Sequence, residues 1–600
     1  MPGINPSATP LTIDTHCHIF NGSDLQAKEF IARVVSNEKG VVGVVTEAVG
    51  EIIQVLEWGN APTADEEMSV LQELSKANDS DLGAVVEKHR SNRYLKARDA
   101  IQKTRSKVRM SSSNAAPLFS AQVASKSGAR RTVANAPVEL QALMTRTPTK
   151  DDVLRQIYAS FDAPDYEQHK QKHQVNLQHL HDFDLAVRSE SAADLATNAT
   201  VGFSVLGMIR FIGEGFQYRI VDAQDYLDTF TKPAQRSFDL ILASMVDFDW
   251  WLTKGKPTPT PLYSSPGSAV KSQLDVMEQI SIVTNGQVHG FAAFDPLREV
   301  AFRAGKGATW SSLAFVQEAI TKRGCVGVKL YPPMGFAAYG NSSKPNDFWK
   351  GSDLPDWLHE DISYSDGKPP RGLGARMDEV LGELYAWCSS PQQEVPILAH
   401  SNETNGVTAQ FKQLADASYW KSALDASNGF PNLRVSFGHL GDFSGDLQEA
   451  AIPASAQSFI DLFASASHAY GDSGFDAEVL RQEELLAKRY QTAYGDGSTQ
   501  QAQLFAKRLM FGTDWNLVMV SGDIGAYEQN FVELFDGLQN GNQIVDGHKI
   551  KDRFFGWNAV EFLGLRSGER TRQRLEDFYT RNGVDFKNNP PLWMAKVEKG

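Results

Sequence analysis

Short apolar runs alternate with longer amphipathic segments from about residue 236 to the end of the chain. The runs are rich in Val, Ile and Phe, which favour β-strands, whereas the segments between them have helical periodicity. In the segment 375–389, five apolar side chains fall on one helical face: Met377, Val380, Leu381, Leu384 and Trp387. This alternation is typical of a parallel sheet built from βαβ units.

The pattern predicts eight strands. The first is LTIDTHCH at 11–18, and the other seven are expected at 238–248, 287–294, 325–331, 395–400, 432–439, 467–474 and 509–515. Eight parallel strands with helices between them close a (β/α)8 TIM barrel, in which active sites lie at the carboxyl ends of the strands. We therefore predict the α/β fold class and a barrel of this type.

A long interval without strand signals separates the first two predicted strands. We predict three units: residues 1–20 hold the N-terminal segment and strand one, 21–235 form a mostly helical insertion, and 236–600 hold the remainder of the barrel. A second polar loop, at 341–373, follows strand four. Loops at this end of a barrel often carry lids and substrate contacts, so both insertions are expected to cover the site.

Parts of the insertion have a more specific signature. The segments 51–58 and 152–160 have amphipathic spacing and predict helices, whereas 111–137 is rich in Ser, Ala and basic residues and is expected to be mobile. The most apolar stretch, 201–212, has about twelve residues, short of the roughly twenty that span a bilayer, and it carries Arg210. We expect a buried helix there.

The amino-acid composition argues against some classes of binding partner and cellular location. The 600 residues are 42% hydrophobic, which suits a large folded core, and 59 basic against 73 acidic residues give a net charge of -14. That charge argues against nucleic acid or an anionic membrane as a partner and favours a small-molecule substrate. Three cysteines are too few for a disulfide framework, and no secretory signal is visible, so a cytoplasmic location is expected.

Residues with metal-binding chemistry stand at the ends of the predicted strands. His16 and His18 are two residues apart on strand one, so both rings project from one face, as required to hold one divalent ion. A single His-x-His pair can occur by chance, so its interpretation as a metal site depends on further ligand residues later in the chain. Four further residues end later strands and would converge with the pair on the barrel mouth: Lys329, His400, His439 and Asp514.

The motifs around these residues resemble the amidohydrolase superfamily, specifically its amidohydrolase-2 (aminocarboxymuconate-semialdehyde decarboxylase-like) branch. The matching segments occur in the family order: IDTHCHIF, GFAAFDP, VGVKLYPPMGF, VPILAHSN, FPNLRVSFGHLG, MFGTDWN and FFGWNAVEFLGL. They cover residues 11–20 and about 238–566, and the insertion has no counterpart. The resemblance implies a metal-dependent barrel enzyme, and barrels of this family often pair, so a homo-oligomer is possible.

The resemblance also implies the ligand set. The family's metal ligands map onto His16, His18, His400 and Asp514. The strand-six residue His439 either binds a second metal or acts on the substrate. The cofactor is then one or two divalent ions, with Zn²⁺ the first expectation.

Lys329 decides the number of metals. In binuclear family members a strand-four lysine in a KLYP-like context is carboxylated and bridges two ions, and the sequence KLYPP at 329–333 is similar. The other interpretation is an ordinary buried lysine paired with Asp514 or another carboxylate. The sequence leaves both open.

Three functions follow. The first is a hydrolase, in which a metal lowers the pKa of bound water to about 7 and Asp514 acts as general base while that water attacks an amide, ester or lactone carbonyl. His439 or a second metal would stabilise the oxyanion. The alternative is a nonoxidative decarboxylase, a lyase acting on an aromatic or unsaturated carboxylic acid with one metal. The third is a catalytically silent scaffold.

Residues beside the predicted ligands are candidate substrate contacts. They are Tyr331, Asn402 and Trp515, together with Trp250 and Trp251. The alternative for each is packing at the rim of the barrel.

Overall fold

Eight short parallel strands form the centre of the computed structural model. They are β1 (Ile13–Cys17), β2 (Leu240–Ser244), β3 (Val288–Ala293), β4 (Gly327–Leu330), β5 (Ile397–His400), β6 (Val435–Gly438), β7 (Ala469–Asp472) and β8 (Leu509–Met510). The structure describes residues 9–19, 21–22, 61–77, 82–105, 211, 214–230, 236–253 and 269–600, apart from 351–353, 368, 404–406, 428, 446, 448, 516–517 and 522–523.

The strands lie in chain order, and each pairs in parallel with the next. The ring closes between β8 and β1, where Thr15 N donates to Phe511 O at 3.1 Å and Thr513 N donates to His16 O at 3.1 Å. The chain is thus an α/β protein with a (β/α)8 TIM barrel, and the fold expected from the sequence is confirmed.

Helices surround the barrel. Those of eight or more residues are Ala64–Leu74, Leu82–Arg105, Arg219–Thr229, Ala269–Val283, Pro296–Arg303, Ser312–Lys322, Leu373–Ser389, Ala454–Ser465, Glu483–Tyr494, Gln500–Arg508, Tyr527–Gly537 and Arg570–Arg581. Shorter ones are Asp249–Leu252, Ala409–Lys412, Ala417–Ala423, Ile550–Asp552, Asn558–Leu563 and Leu592–Val597. The predicted helix at 375–389 is found as Leu373–Ser389.

Two apolar clusters hold the strands in place. The larger one includes Val288, Val328 and Val435 and joins the sheet to the surrounding helices. The other includes Leu242 and Leu398 inside the ring, together with aromatic side chains of the C-terminal helices. Because strands are buried on both faces, their sequences are continuous apolar runs rather than alternating ones.

An irregularity in β1 turns its histidines toward the barrel mouth. The register with β2 shifts between Asp14 and Cys17, as in a β-bulge. Ile13 consequently packs in the interior cluster, whereas Cys17, four residues later, packs in the outer one. The neighbours of Cys17 on either side, His16 and His18, therefore face the interior.

Three described helices lie between β1 and β2 in the chain, as expected for the insertion: Ala64–Leu74, Leu82–Arg105 and Arg219–Thr229. The first begins with a capping box, in which Thr63 Oγ1 accepts from Glu66 N and Glu66 accepts from Thr63 N. The predicted segments at 51–58, 111–137, 152–160 and most of 201–212 lie outside the described residues. The boundaries at 20 and 235 stay a prediction.

The loop at 341–373 contains short 3-10 turns, Asn341–Ser343, Asn346–Trp349 and Asp356–His359. Among the helices of the described part of the chain, none has the length and apolar character to cross a bilayer.

Candidate metal centre

Three of the predicted ligands meet at the carboxyl ends of β1 and β8. Nε2 of His18 lies 3.3 Å from Asp514 Oδ1, and Nε2 of His16 lies 3.9 Å from the same oxygen. One ligand atom from each of the three residues falls within 4.8 Å of the others, and all three residues are buried. Within the described residues, this is the one group of His, Cys, Asp and Glu side chains so arranged.

The donor set fits a divalent cation. Asp514 Oδ1 is buried and accepts no hydrogen bond from the part of the chain that the structure describes. The other ring nitrogens are already bonded: His16 Nδ1 lies 3.0 Å from Asp472 Oδ1, and His18 Nδ1 lies 3.0 Å from Ser244 O. Those bonds fix both rings so that Nε2 faces the carboxylate, as is usual for metal-binding histidines, whose other ring nitrogen donates to a carboxylate or a backbone oxygen.

Burial sets the protonation of this group. Desolvation lowers the pKa of His16 and of His18 well below the usual 6.5, so both rings are neutral, as metal ligands must be. Desolvation raises the pKa of Asp514 to about 7, although the positive charge of Lys329 acts against this rise. An ionised Asp514 is thus costly here without a cation beside it.

The other two predicted histidines adjoin the three ligands without joining their group. His400 Nδ1 and His439 Nε2 are 3.1 Å apart, and the His439 ring lies 4.7 Å from the His16 ring. His439 Nδ1 is 2.8 Å from Gly474 O. Burial lowers the pKa of His439 to about 4 and that of His400 well below 6.5, so both rings are neutral, as ligands of a second ion would have to be.

Lys329 lies inside the mouth, as expected. Its Nζ is 2.9 Å from His16 Nε2, and its side chain is buried. Desolvation lowers the pKa of Lys329 to about 8, while Asp514 and Asp472 raise it. The position is compatible both with a carboxylated lysine and with an amine that balances the two carboxylates.

One functional residue was missed by the sequence analysis. Asp472, at the end of β7, accepts from His16 Nδ1, from His439 N at 3.1 Å and from Gly474 N at 3.0 Å. It therefore holds two of the site histidines at once. Its position was the available signal, because the other polar site residues also end strands.

His439 is carried on an unusual turn. Four consecutive residues have positive φ: 64° at His439, 40° at Leu440, 65° at Gly441 and 65° at Asp442. Such conformations are unfavourable for residues with a Cβ and persist where the surroundings fix them. Ser401 is one such support, since its Oγ donates to Gly438 O at 2.6 Å and accepts from Gly441 N at 3.2 Å.

The candidate substrate contacts fall in different surroundings. The Tyr331 ring lies 4.4 Å from the His400 ring and 5.8 Å from that of Trp251, so it is at the mouth. Asn402 is half-buried and lines a cavity of about 480 Å³ on the side of Ser401. Trp515 is buried and donates Nε1 to Asp222 at 2.8 Å. Substrate binding by these residues stays a prediction.

Trp250 and Trp251 are also buried, with 2% of each exposed. The ring of Trp250 packs edge-on against Trp357, and that of Trp251 packs edge-on against Phe248. Trp251 and Phe248 thereby extend the aromatic wall that begins at Tyr331.

No family model and no curated protein matches the chain. Among solved structures, a 2,6-dihydroxybenzoate decarboxylase in complex with 2,6-dihydroxybenzoate is similar at 12% identity and a TM-score of 0.30, over 57% of this chain and 87% of that one. A 5-carboxyvanillate decarboxylase from Novosphingobium aromaticivorans, with bound manganese and 3-methoxy-4-hydroxy-5-nitrobenzoic acid, is similar at 11% identity and a TM-score of 0.29, over 63% and 92%.

TM-scores of 0.30 and 0.29 are too low to support a structural assignment. The barrel fold is shown instead by the strand order of this chain. The site rests likewise on its own geometry. With eight strands in barrel order, the motifs in sequence, and His16, His18 and Asp514 together at the mouth, the chain resembles the amidohydrolase superfamily and, within it, the amidohydrolase-2 branch.

Proposed function

We propose that the chain is a metal-dependent enzyme that removes the carboxyl group of an aromatic or unsaturated carboxylic acid as carbon dioxide. The observation that carries this is a ligand group suited to one ion, formed by His16, His18 and Asp514, beside an aromatic wall. Two imidazoles and a carboxylate suit Zn²⁺, and when bound, a divalent ion supplies the positive charge that offsets an anionic substrate.

Decarboxylation also needs a surface that binds the substrate ring and a positive charge that balances the carboxylate. The residues around the ligands can supply both. Tyr331, Phe248 and Trp251 pack with ring centroids 5.1–5.8 Å apart and ring planes inclined at 35–87°, and they form an apolar aromatic wall that a substrate ring can contact. Their packing also excludes water from this side of the mouth. Lys329 adds a cation beside the ligands, and it can balance the charge of the substrate carboxylate.

The proton must be delivered as carbon dioxide leaves. The bond between the ring carbon and the carboxyl carbon breaks, its electron pair stays on the ring carbon, and that carbon takes a proton. Asp514 is the donor we propose, with Oδ1 directed to the ion and the proton carried on Oδ2, because its carboxyl group lies at the mouth beside His16 and His18. Each turnover then requires Asp514 to regain a proton from solvent.

The test is carbon dioxide release from a panel of hydroxybenzoates and unsaturated dicarboxylates, assayed with Zn²⁺ and, separately, Mn²⁺. We expect release with at least one acid, and its loss by more than about 1000-fold in Asp514→Asn, since acid catalysis and ligation are both removed. Asp536→Asn is the control, because Asp536 is exposed and forms a surface ion pair with Lys551, away from the mouth. Full activity in Asp514→Asn would contradict the assignment.

A metal-dependent hydrolase is the second candidate, and the position of Lys329 is compatible with it. Lys329 Nζ lies 2.9 Å from His16 Nε2, so a carbamate formed on Nζ would add a carboxylate group to the site, and His400 and His439 are the residues that would hold a second ion. Asp514 would then take a proton from water as that water attacks an amide, ester or lactone carbonyl.

The number of bound ions and the state of Lys329 separate the candidates. The hydrolase predicts two metal equivalents and a carbamate signal in the carbon-13 spectrum of protein prepared with labelled bicarbonate. The decarboxylase predicts one equivalent and no such signal. Lys329→Met should abolish the second equivalent in the hydrolase only.

A further inference from the structure

The helix Arg219–Thr229, here called the last insertion helix, packs behind the strands that carry the ligands. Tyr226 Oη donates to Asp14 Oδ2 at 2.7 Å, and Trp515 Nε1 donates to Asp222 Oδ1 at 2.8 Å. Asp14 is two residues before His16 on β1, and Trp515 directly follows Asp514. The helix thus contacts both sides of the seam where the barrel closes.

Asp14 links the two strands at that seam. Its Oδ1 accepts from His16 N at 2.9 Å and from Thr513 N at 3.2 Å, and its Oδ2 accepts from Thr513 Oγ1 at 2.6 Å. One carboxylate therefore sets the backbone of a metal ligand on β1 against the residue before Asp514. Within the described residues, the donor to Asp14 that comes from outside the barrel is the hydroxyl of Tyr226.

The contact is buried and closely packed. Tyr226 and Asp222 are 0% exposed, and the Tyr226 ring meets the Trp515 ring edge-on with centroids 4.9 Å apart. A buried carboxylate that loses a donor is left short of a hydrogen bond in a low-dielectric site, which is costly unless the groups around it move. Movement of Asp14 would displace His16 relative to Asp514.

The helix is itself anchored in the insertion. Arg219 Nη1 pairs with Glu67 of the helix Ala64–Leu74 at 2.6 Å, and Asp225 pairs with Arg90 of the helix Leu82–Arg105. The described helices of the insertion are therefore joined to one another by buried or half-buried ion pairs. A shift of these helices would therefore displace Tyr226 and Asp222, which contact the seam.

We infer that the last insertion helix is a positioning element of the metal centre, with Tyr226 acting through Asp14 and Asp222 acting through Trp515. Each sets the spacing between His16 and Asp514 through the residue it contacts, Asp14 for Tyr226 and Trp515 for Asp222. The inference rests on the proposed metal centre and makes the insertion part of the catalytic unit rather than an accessory domain.

The test uses the full chain and Co²⁺ alone as the probe. We expect Tyr226→Phe to weaken Co²⁺ binding about 10-fold or more and to shift the visible absorption bands of the bound ion, because Asp14, which positions His16, loses a hydrogen-bond donor. Asp222→Ala, which removes the acceptor of Trp515 Nε1 and keeps Tyr226, is expected to weaken Co²⁺ in the same direction.

Tyr579→Phe is the matched control. Tyr579 is also fully buried, and its hydroxyl lies 2.7 Å from His289 Nε2 near the amino end of β3, away from the mouth. This variant should lose thermal stability as Tyr226→Phe does, yet bind Co²⁺ within about twofold of the unmodified chain, with unchanged absorption bands.

Three results would overturn the inference. Wild-type Co²⁺ affinity and spectrum in folded Tyr226→Phe and Asp222→Ala would show that the helix only adds stability. Equal weakening in Tyr579→Phe would show that the effect is general loosening of the fold. No Co²⁺ binding by the unmodified chain would instead refute the metal centre itself, and the inference with it.

Discussion

Three of the four site histidines have one ring nitrogen bonded to a fixed acceptor. The acceptors are Asp472 for His16, Ser244 O for His18 and Gly474 O for His439. The committed nitrogen fixes the orientation of the ring, and the other nitrogen is then presented to the mouth. The geometry of the site is thus specified by residues that would not touch a metal.

Asp472 is the most consequential of these acceptors. We expect Asp472→Ala to weaken Zn²⁺ binding by about 10- to 100-fold, since His16 loses its orienting acceptor. Ser436→Ala is the control, because Ser436 is buried beside Asp472 and contributes only a 3.3 Å bond to its Oδ2. Competition with a chromogenic chelator measures both affinities; equal values in the two variants would contradict the role of Asp472.

His289 gives a prediction on acid stability. Burial lowers its pKa to about 4, and its ring is held between Gly324 O and the hydroxyl of Tyr579. Below about pH 6.5 the unfolded chain binds this proton and the folded chain does not, so the stability that the neutral ring contributes is lost as pH falls toward 4.

Between pH 7 and pH 4, this difference amounts to about 3 kcal/mol. The free energy of unfolding of the unmodified chain should therefore decrease by that much more than that of His289→Gln over this range. Denaturant titrations at both pH values measure it, and parallel pH profiles for the two proteins would refute the assignment.

The sequence predicted the site's polar residues better than their partners. His16, His18, His400, His439 and Asp514 are recognisable because each ends a predicted strand. The supports are different, because they pair residues far apart in the chain. Tyr226 and Asp14 are separated by 212 positions, and no local pattern indicates which distant residue contacts which.

At the scale of elements, close strand packing depends on small residues. A Cβ on Gly327, in β4, would press against the backbone oxygen of Pro396 and lie 2.7 Å from the Phe291 ring. In the helix Leu373–Ser389, a Cβ on Gly382 would meet nothing closer than Phe430 at 3.9 Å. The same substitution should therefore have opposite effects at the two positions.

We expect Gly327→Ala to destabilise the protein by about 1–3 kcal/mol through overpacking. Gly382→Ala is expected to stabilise it by up to about 1 kcal/mol, because alanine loses less backbone entropy in a helix. Thermal unfolding of both variants measures the contrast. A loss of stability in Gly382→Ala equal to that in Gly327→Ala would contradict it.

All eight predicted strands exist, but the ladders are shorter than their apolar runs. The run 509–515 forms a ladder only over Leu509–Met510, and 238–248 forms one over Leu240–Ser244. Beyond the ladders, the backbone leaves the strand conformation at the mouth, as it does at Asp514, whose φ is 54°. A run of apolar residues indicates that a segment is buried, but it does not distinguish a paired strand from the buried turn that follows it.

At the scale of the molecule, the first described residues and the C-terminal helix contact each other at the end of the barrel opposite the mouth. The C-terminal helix Leu592–Val597 buries Trp593 completely, and Lys596 Nζ lies 2.7 Å from Asp239 Oδ1. The same Nζ lies 3.0 Å from Thr9 Oγ1 in the segment before β1. The sequence shows a globular chain, but not that its last residues cover this end.

A chain that ends at Asn589 should be destabilised by about 3–5 kcal/mol or more, because the Trp593 site is emptied and Asp239 loses its cation. A chain that ends at Glu598 keeps the helix and serves as the control. Chemical denaturation compares them, and equal midpoints for both truncations would contradict a structural role for Leu592–Val597.

We propose that His16, His18 and Asp514 together hold one divalent ion. Elemental analysis of the protein after loading with Zn²⁺ and removal of free metal measures this directly. We predict one equivalent per chain, decreasing to less than about 0.1 in His16→Ala and Asp514→Ala while both variants stay folded. One full equivalent retained in either variant, or none in the unmodified chain, would contradict the claim.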